Sequence, residues 1–172
     1  MTNVFFLFFV AINIIAMAKA ASLRCNDDAS TPAVPTPSPT ISAEDCANLK
    51  GIKSHSTGQC FLFVRSNITF IQAESFCENF YSGHLASIHS AFDNLYVADH
   101  ARETFGSDNQ FYIGLTSLES ANYTWQDGTA VDYTDFVDNT NNGYQCTTVS
   151  LKTGTWIKTE CFNTVANFVC SL

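Results

Sequence analysis

Proline is confined to one stretch of this chain. All four prolines fall within "STPAVPTPSPT", Ser30–Thr40, and none follows Pro39. That removes proline turns, and the cis X–Pro bond with them, from everything downstream. Positive charge is also scarce: 8 Lys and Arg stand against 16 Asp and Glu, a net charge of −8. This balance argues against nucleic acid or an anionic membrane surface as a partner. The acidic residues are scattered from Asp27 to Glu160 without a run, so they read as ordinary solubility. No G-x-S-x-G, HExxH or phosphate-cradling glycine loop occurs. His55, His84, His89 and His100 lack metal-ligand spacing, and an enzyme is not expected. None of the 7 cysteines forms a CxxC pair, which sets aside a zinc ribbon or a thioredoxin-like redox centre.

The apolar run "VFFLFFVAINIIAM" is too short for a good membrane span and is interrupted by Asn13. It reads as an export signal over residues 1–20, cut after the "AKA" of Ala18–Ala20. The segment before the run carries no basic side chain, and an uncleaved anchor is the rival reading. Cleavage implies a secreted, extracellular protein with no membrane span. Removal of Lys19 leaves 7 basic against 16 acidic residues, a net of −9. Export makes the cysteines intelligible as disulfide staples, although an odd count leaves one over. Residues 21–41 hold Cys25 and the Ser/Thr/Pro tract, which cannot bury a core and reads as an extended linker. Residues 42–172 are rich in Phe, Tyr, Val and Ile and suffice for one compact domain.

Two helices are legible in that domain. Residues Thr69–Phe80 place Phe70, Ala73, Phe76, Cys77 and Phe80 at spacings of three and four. Ser90, with Asp93 three residues on, is an N-cap for "AFDNLYVADHARETF", whose expected inward stripe is Phe92, Leu95, Ala98, Arg102 and Phe105. The remainder is short strand-like runs: "CFLFV", "HLASI", "FYIGL", "YTWQ", "CTTVSL" and "NFVCSL". His84 and His89 flank one of these runs and face opposite ways by period-two counting. Helices first and strands mostly later point to an α+β fold with an antiparallel sheet.

Several of these runs resemble the framework of C-type lectin-like domains. "FYIGL" (Phe111–Leu115) resembles the family's "WIGL" strand. "YTWQDGT" (Tyr123–Thr129) is similar to its "WxWxDG" stretch, with Tyr123 in place of the first Trp. "GHLASIHS" (Gly83–Ser90), "GQCFLF" (Gly58–Phe63) and "FVCSL" (Phe168–Leu172) match its remaining framework, so the resemblance covers Cys46–Leu172. It implies two helices packed on antiparallel sheets, a long irregular loop, and three disulfides: Cys77–Cys170, Cys146–Cys161, and Cys46–Cys60 across an N-terminal hairpin. Cys25 is then unpaired. A dimer through Cys25 is the sharper reading; a partner in another protein and a capped free thiol are the alternatives.

Sugar-binding members of that family hold calcium through a cis-proline flanked by amides or carboxylates and through an Asn-Asp pair after a Trp. Here the loop before Cys146, "FVDNTNNGYQC", has no proline, and Ile157 and Lys158 follow Trp156. Its own acid is Asp138 alone, thin charge for a cation that takes six to eight oxygens. As an EF-hand the loop also fails, since Val149 stands where the bidentate Glu belongs. No metal or other cofactor is therefore expected; a secondary calcium site near Glu103, Asp108 and Glu119 has no support from spacing.

The candidate ligand-binding residues are Asp138, Asn139, Asn141, Asn142, Tyr144 and Trp156. Trp125 reads as core, and Tyr133 and Phe136 as packing at the base of the loop. "NIT" at Asn67 and "NYT" at Asn122 are glycosylation acceptors. The expected function is a secreted recognition module for an extracellular glycan or protein, without the usual calcium-dependent sugar site. Two alternatives stand beside it: a calcium-dependent lectin using a rearranged loop, and a structural or matrix protein cross-linked through Cys25.

Overall fold

The computed structural model describes residues 41–138 and 143–172. The signal, most of the linker, Cys25, and Asn139, Asn141 and Asn142 lie outside the described residues. The chain order is α1 (Ala43–Asn48), β1 (Ile52–Lys53), β2 (Cys60–Ile68), α2 (Phe70–Tyr81), β3 (His84–Leu85) and α3 (Ala91–Phe105). Then come β4 (Gln110–Thr116), β5 (Thr124–Trp125), β6 (Cys146–Ser150), β7 (Trp156–Thr159) and β8 (Ala166–Ser171). Among the described residues the strands form one sheet in the order β1-β2-β8-β4-β6-β7, with β3 paired to β8 and β5 to β4.

The sheet is mixed. Its pairs are antiparallel except β4 with β8, where Phe111 stands opposite Asn167 and Tyr112 opposite Phe168 in parallel register. This corrects the purely antiparallel expectation. β8, the closing strand, is buried at all six positions because it has neighbours on both edges and helices over its faces.

Alternation along the strands sorts the core into two faces. Phe61, Phe111, Ile113, Leu115, Val149 and Val169 join Val97, Ala101 and Phe105 of α3. Leu62, Tyr112, Phe168 and Cys170 join Phe70, Ala73 and Cys77 of α2. The helices therefore cover opposite faces of the sheet. Three disulfides tie the layers: Cys46–Cys60, Cys77–Cys170 and Cys146–Cys161. These are the pairs that the resemblance implies, but Cys46 sits on the short helix α1, not on a hairpin strand.

The helix caps follow the sequence, and the inward stripes do so in part: Phe70, Ala73 and Cys77 of α2 and Ala98 and Phe105 of α3 are buried as expected. Thr69 and Gln72 form a capping box ahead of α2, and the Ser90 side chain accepts from the Asp93 backbone N–H at the start of α3. Phe80, ten residues past Phe70, has rotated off the buried face; it is 71% exposed and stacks on Phe76. On α3 the expected stripe is displaced. Phe92 and Leu95 are each 59% exposed, while Asp93, Asn94, Val97, Ala98, Ala101 and Phe105 face inward. The cause is polar: Asp93 accepts from Ser54 in the interior, and Asn94 bonds three groups there. Satisfied polar groups can occupy a buried face that hydrophobic counting assigns to apolar neighbours.

Candidate functional site

The end of the fold beyond β4, β6 and β7 is built from loops, and buried polar groups hold them. Trp156, fully buried, anchors the loop that precedes Cys146. Its backbone N–H donates to the Asp135 carbonyl at 2.8 Å, and its own carbonyl accepts from Val137 N–H at 3.0 Å. The rings of Tyr133 and Phe136 stand edge-on to the Trp156 indole at 5.5 and 5.7 Å. The base of the loop is thus aromatic packing, as expected for those two residues. Trp156 as a ligand platform is corrected: no sugar ring can stack on an indole enclosed by Tyr133, Phe136 and Trp125. Its Nε1–H donates instead to Asn94 Oδ1 at 2.8 Å.

A second set of bonds holds the segment after β5. Thr129 N–H donates to Asp127 Oδ1 at 2.9 Å. The two His89 nitrogens meet Asp132 Oδ1 at 2.8 Å and Thr129 Oγ1 at 3.2 Å. The hydrogen bond from His89 holds the Asp132 carboxyl below the usual range. This histidine latches the segment rather than serving catalysis.

A pocket of about 390 Å³ lies where the β4–β5 connection meets the residues before β6. Its wall is Ser117, Ser120, Ala121 and Tyr123 from the β4–β5 connection, Gly143, Tyr144 and Gln145 before β6, and Lys158 from β7. Tyr123 Oη donates across it to the Tyr144 carbonyl at 3.0 Å, and burial pushes that phenol upward in pKa. Gln145 is clamped at both ends: its carbonyl accepts from Ser117 N–H at 2.9 Å, and its Nε2 donates to Ser117 O at 3.2 Å. Tyr144 is 48% exposed, a partly open aromatic surface. Lys158 Nζ sits 5.3 Å from the Phe136 ring centroid, a cation–π distance. A smaller cavity of about 260 Å³ shares Lys158 and is otherwise lined by Val137, Asp138, Trp156 and Ile157.

Of the sequence candidates, the structure brings Tyr144 to the pocket wall and leaves Asp138 exposed beside the smaller cavity. Ser117 and Ser120 carry no motif of their own, and Tyr123 reads in sequence only as framework; three segments distant in sequence meet only through the fold. Lys158, noticed as an obstacle to calcium, is part of the wall.

The calcium cage implied by the resemblance does not fit these residues. Lys158 brings an ammonium, with no acceptor, to both cavities. Ile157 beside it is apolar and 38% exposed. Glu103, Asp108 and Glu119 do not gather either, and Asp108 accepts from Asn167 Nδ2. Among the described residues the acidic and histidine side chains close enough to share an ion are Glu74, Glu78 and His84. There, Glu74 already bonds His84 Nδ1 at 2.6 Å and Leu85 N–H at 2.9 Å, so hydrogen bonds account for its partly buried carboxylate.

Among the described residues no helix is long and apolar enough to cross a membrane. Comparison with known proteins places this geometry in context. The lectin C-type domain model matches residues 66–172. Echinoidin of Heliocidaris crassispina is 30% identical over 131 residues, 66% of this chain and 88% of its own length. The alpha-N-acetylgalactosamine-specific lectin of Patiria pectinifera is 36% identical over 95 residues, 51% of this chain; this chain spans 55% of that lectin. Human lithostathine superposes with a TM-score of 0.64 at 24% identity, covering 71% of this chain and 95% of its own, which shows a shared fold. With its mixed sheet, two packed helices and three cystines, the chain belongs to the C-type lectin domain family, a family of binding modules rather than enzymes.

Proposed function

We propose that this protein is a secreted, disulfide-stapled lectin whose carbohydrate site is the Tyr123–Tyr144 pocket and works without calcium. The observation that carries the reading is the pocket wall itself: a partly open Tyr144 ring beside the Ser117, Ser120, Gln145 and Lys158 side chains. A sugar ring offers an apolar face for an aromatic side chain, and hydroxyls that both donate and accept. Serine hydroxyls and a glutamine amide meet that chemistry in either sense, and a lysine donates to ring or glycosidic oxygens. The relatives named as lectins support carbohydrate as the ligand class.

In this reading residues 1–20 are the removed signal, 21–41 the linker, and 42–172 the recognition domain. Cys25 provides an interchain link, and nucleic acid is not a partner. Asn67 and Asn122 are both exposed and suit glycosylation in an extracellular protein.

The test is a glycan array, with α-N-acetylgalactosamine among its probes, read in calcium and again in chelator. Binding to at least one glycan should be equal in both buffers, and Tyr144→Ala should lower it about tenfold, a loss of roughly 1.4 kcal/mol. Loss of all binding in chelator would instead support the rearranged calcium site at Asp138. Absence of glycan binding, together with a reductant-sensitive dimer abolished by Cys25→Ser, would support the structural or matrix role.

A further inference from the structure

The acceptor triplet Asn122-Tyr123-Thr124 overlaps the pocket. Asn122 is exposed on a bend, and its two neighbours, Ala121 and Tyr123, both line the cavity. Consecutive α-carbons are about 3.8 Å apart, so the Asn122 amide lies within a side-chain length of the rim. The bend is held in place. Ser120 Oγ donates to the Asn122 carbonyl, Thr124 Oγ1 to the Thr116 carbonyl, and Tyr123 Oη to the Tyr144 carbonyl. A group attached at Asn122 therefore has a fixed origin at the pocket's edge. Asn67 differs: it is exposed on β2, and no residue of β2 or α2 lines the pocket.

Resting on the carbohydrate reading of that pocket, we propose that Asn122 bears an N-linked glycan that covers the pocket in cis and controls access to it. The modification transfers an oligosaccharide from a lipid-pyrophosphate donor. The Asn122 amide nitrogen forms a bond to C1 of the first N-acetylglucosamine and gives up one proton. The bond from C1 to the pyrophosphate oxygen breaks, and the lipid pyrophosphate leaves with that electron pair. No redox partner is required. Once attached, the first sugars meet the same Tyr144 ring, serine hydroxyls and Gln145 amide that suit an incoming sugar. A short tether gives an effective concentration on the order of millimolar. A free sugar competes only where its concentration relative to its own Kd exceeds that effective concentration relative to the Kd of the tethered glycan, so the glycosylated and bare proteins differ in what they bind.

The experiment uses the full chain secreted from a glycosylating eukaryotic host, as wild type, Asn122→Gln and Asn67→Gln. A wild-type sample deglycosylated enzymatically after folding repeats the comparison without any substitution. Mass spectrometry reads occupancy, and tetranitromethane nitration reads Tyr144 access without needing any ligand. The expected result is an occupied Asn122 and Tyr144 nitration several-fold faster in Asn122→Gln and in the deglycosylated protein. Asn67→Gln should nitrate like wild type. Binding to α-N-acetylgalactosamine-bearing albumin should rise about tenfold in the same two samples. A bare Asn122, or an occupied one with unchanged Tyr144 nitration, overturns the proposal. Faster nitration with no glycoconjugate bound by any sample supports the cover and counts against the pocket as a lectin site, so the two failures are distinct.

Discussion

Asn94 and Trp156 share the hydrogen bond on which the loop end of this fold depends. Trp156 Nε1–H donates to Asn94 Oδ1 at 2.8 Å, and Asn94 Nδ2 donates to the Gly154 carbonyl at 3.0 Å and to Asp135 Oδ2 at 3.1 Å. One buried amide on α3 thereby fixes β7, the turn before it, and the segment that leads to the loop before Cys146. Asn94→Leu keeps the approximate volume but leaves the indole N–H and the Gly154 carbonyl without partners. The expected cost is about 2–4 kcal/mol, which lowers the thermal midpoint by roughly 10 °C. Scanning calorimetry checks it; a change within 2 °C, on the order of half a kcal/mol, would refute the role given to Asn94.

Glu74 predicts a pH dependence. The residue is 8% exposed, and burial raises its pKa despite the bonds from Leu85 N–H and His84. A carboxyl whose folded pKa is raised binds its proton more tightly in the folded state. Its contribution is therefore fully present below the ordinary glutamate value and is lost as pH rises through the raised folded value. Glu78 adds like charge in the same direction, and His84 acts against it. Urea unfolding of wild type and Glu74→Gln between pH 4 and pH 8 isolates the effect. The wild type should gain on the variant as pH falls; a difference that is flat, or that grows with pH, contradicts the assignment. His84→Gln run in parallel shows how far the effect depends on that hydrogen-bond partner.

Much of this fold is legible in sequence because local chemistry and tertiary structure agree there. Ser90 and Asp93 cap α3, Gly114 sits in its framework strand, and Tyr133 and Phe136 pack where their aromatic character suggests. The failures share one cause. Asn94 and Asp93 look like surface residues until their partners, dozens of positions away, are in place. They turn α3 so that Phe92 and Leu95 face solvent. Trp156 beside a glycine turn could be exposed or enclosed, and only the aromatic neighbours decide it. The pocket is harder still, since Ser117, Tyr144 and Lys158 share no spacing pattern. Asp138 and Tyr144 stand out as candidates because an irregular polar loop is a common place for ligands.

Gly114 is a packing requirement rather than a turn. A β-carbon there would lie 2.4 Å from the Leu85 carbonyl oxygen and 3.0 Å from its carbon, both backbone atoms of β3. Gly114 N–H also donates to the Ala86 carbonyl at 2.9 Å, so the strands cannot part without losing that bond. Gly114→Ala should cost about 3 kcal/mol, the upper end for overpacking. Gly106 makes the contrast: its surroundings are open, but its φ is +68°. Gly106→Ala should cost about 1–3 kcal/mol, from backbone strain alone. A Gly114→Ala loss below about 1 kcal/mol in a denaturant titration would show that contact with β3 is not what selects glycine at position 114.

Calcium offers the sharpest test of the proposed calcium-free reading. A ligand that binds only the folded state stabilises it by mass action. With a Kd of about 0.1 mM, roughly 10 mM calcium would add near 2.7 kcal/mol, a rise of about 10 °C in the thermal midpoint. Lys158 lines both cavities next to Tyr144 and Asp138, and its ammonium opposes a cation at either place. The expected midpoint in 10 mM calcium is therefore the same as in chelator, within about 1 °C. Lys158→Asp sharpens the test, because it sets a second carboxylate on the cavity that Asp138 lines. If the lysine charge is the main obstacle, that variant should gain a calcium-dependent rise while the wild type shows none. A wild-type midpoint that climbs with calcium would place an ion site in this domain and remove the calcium-free reading.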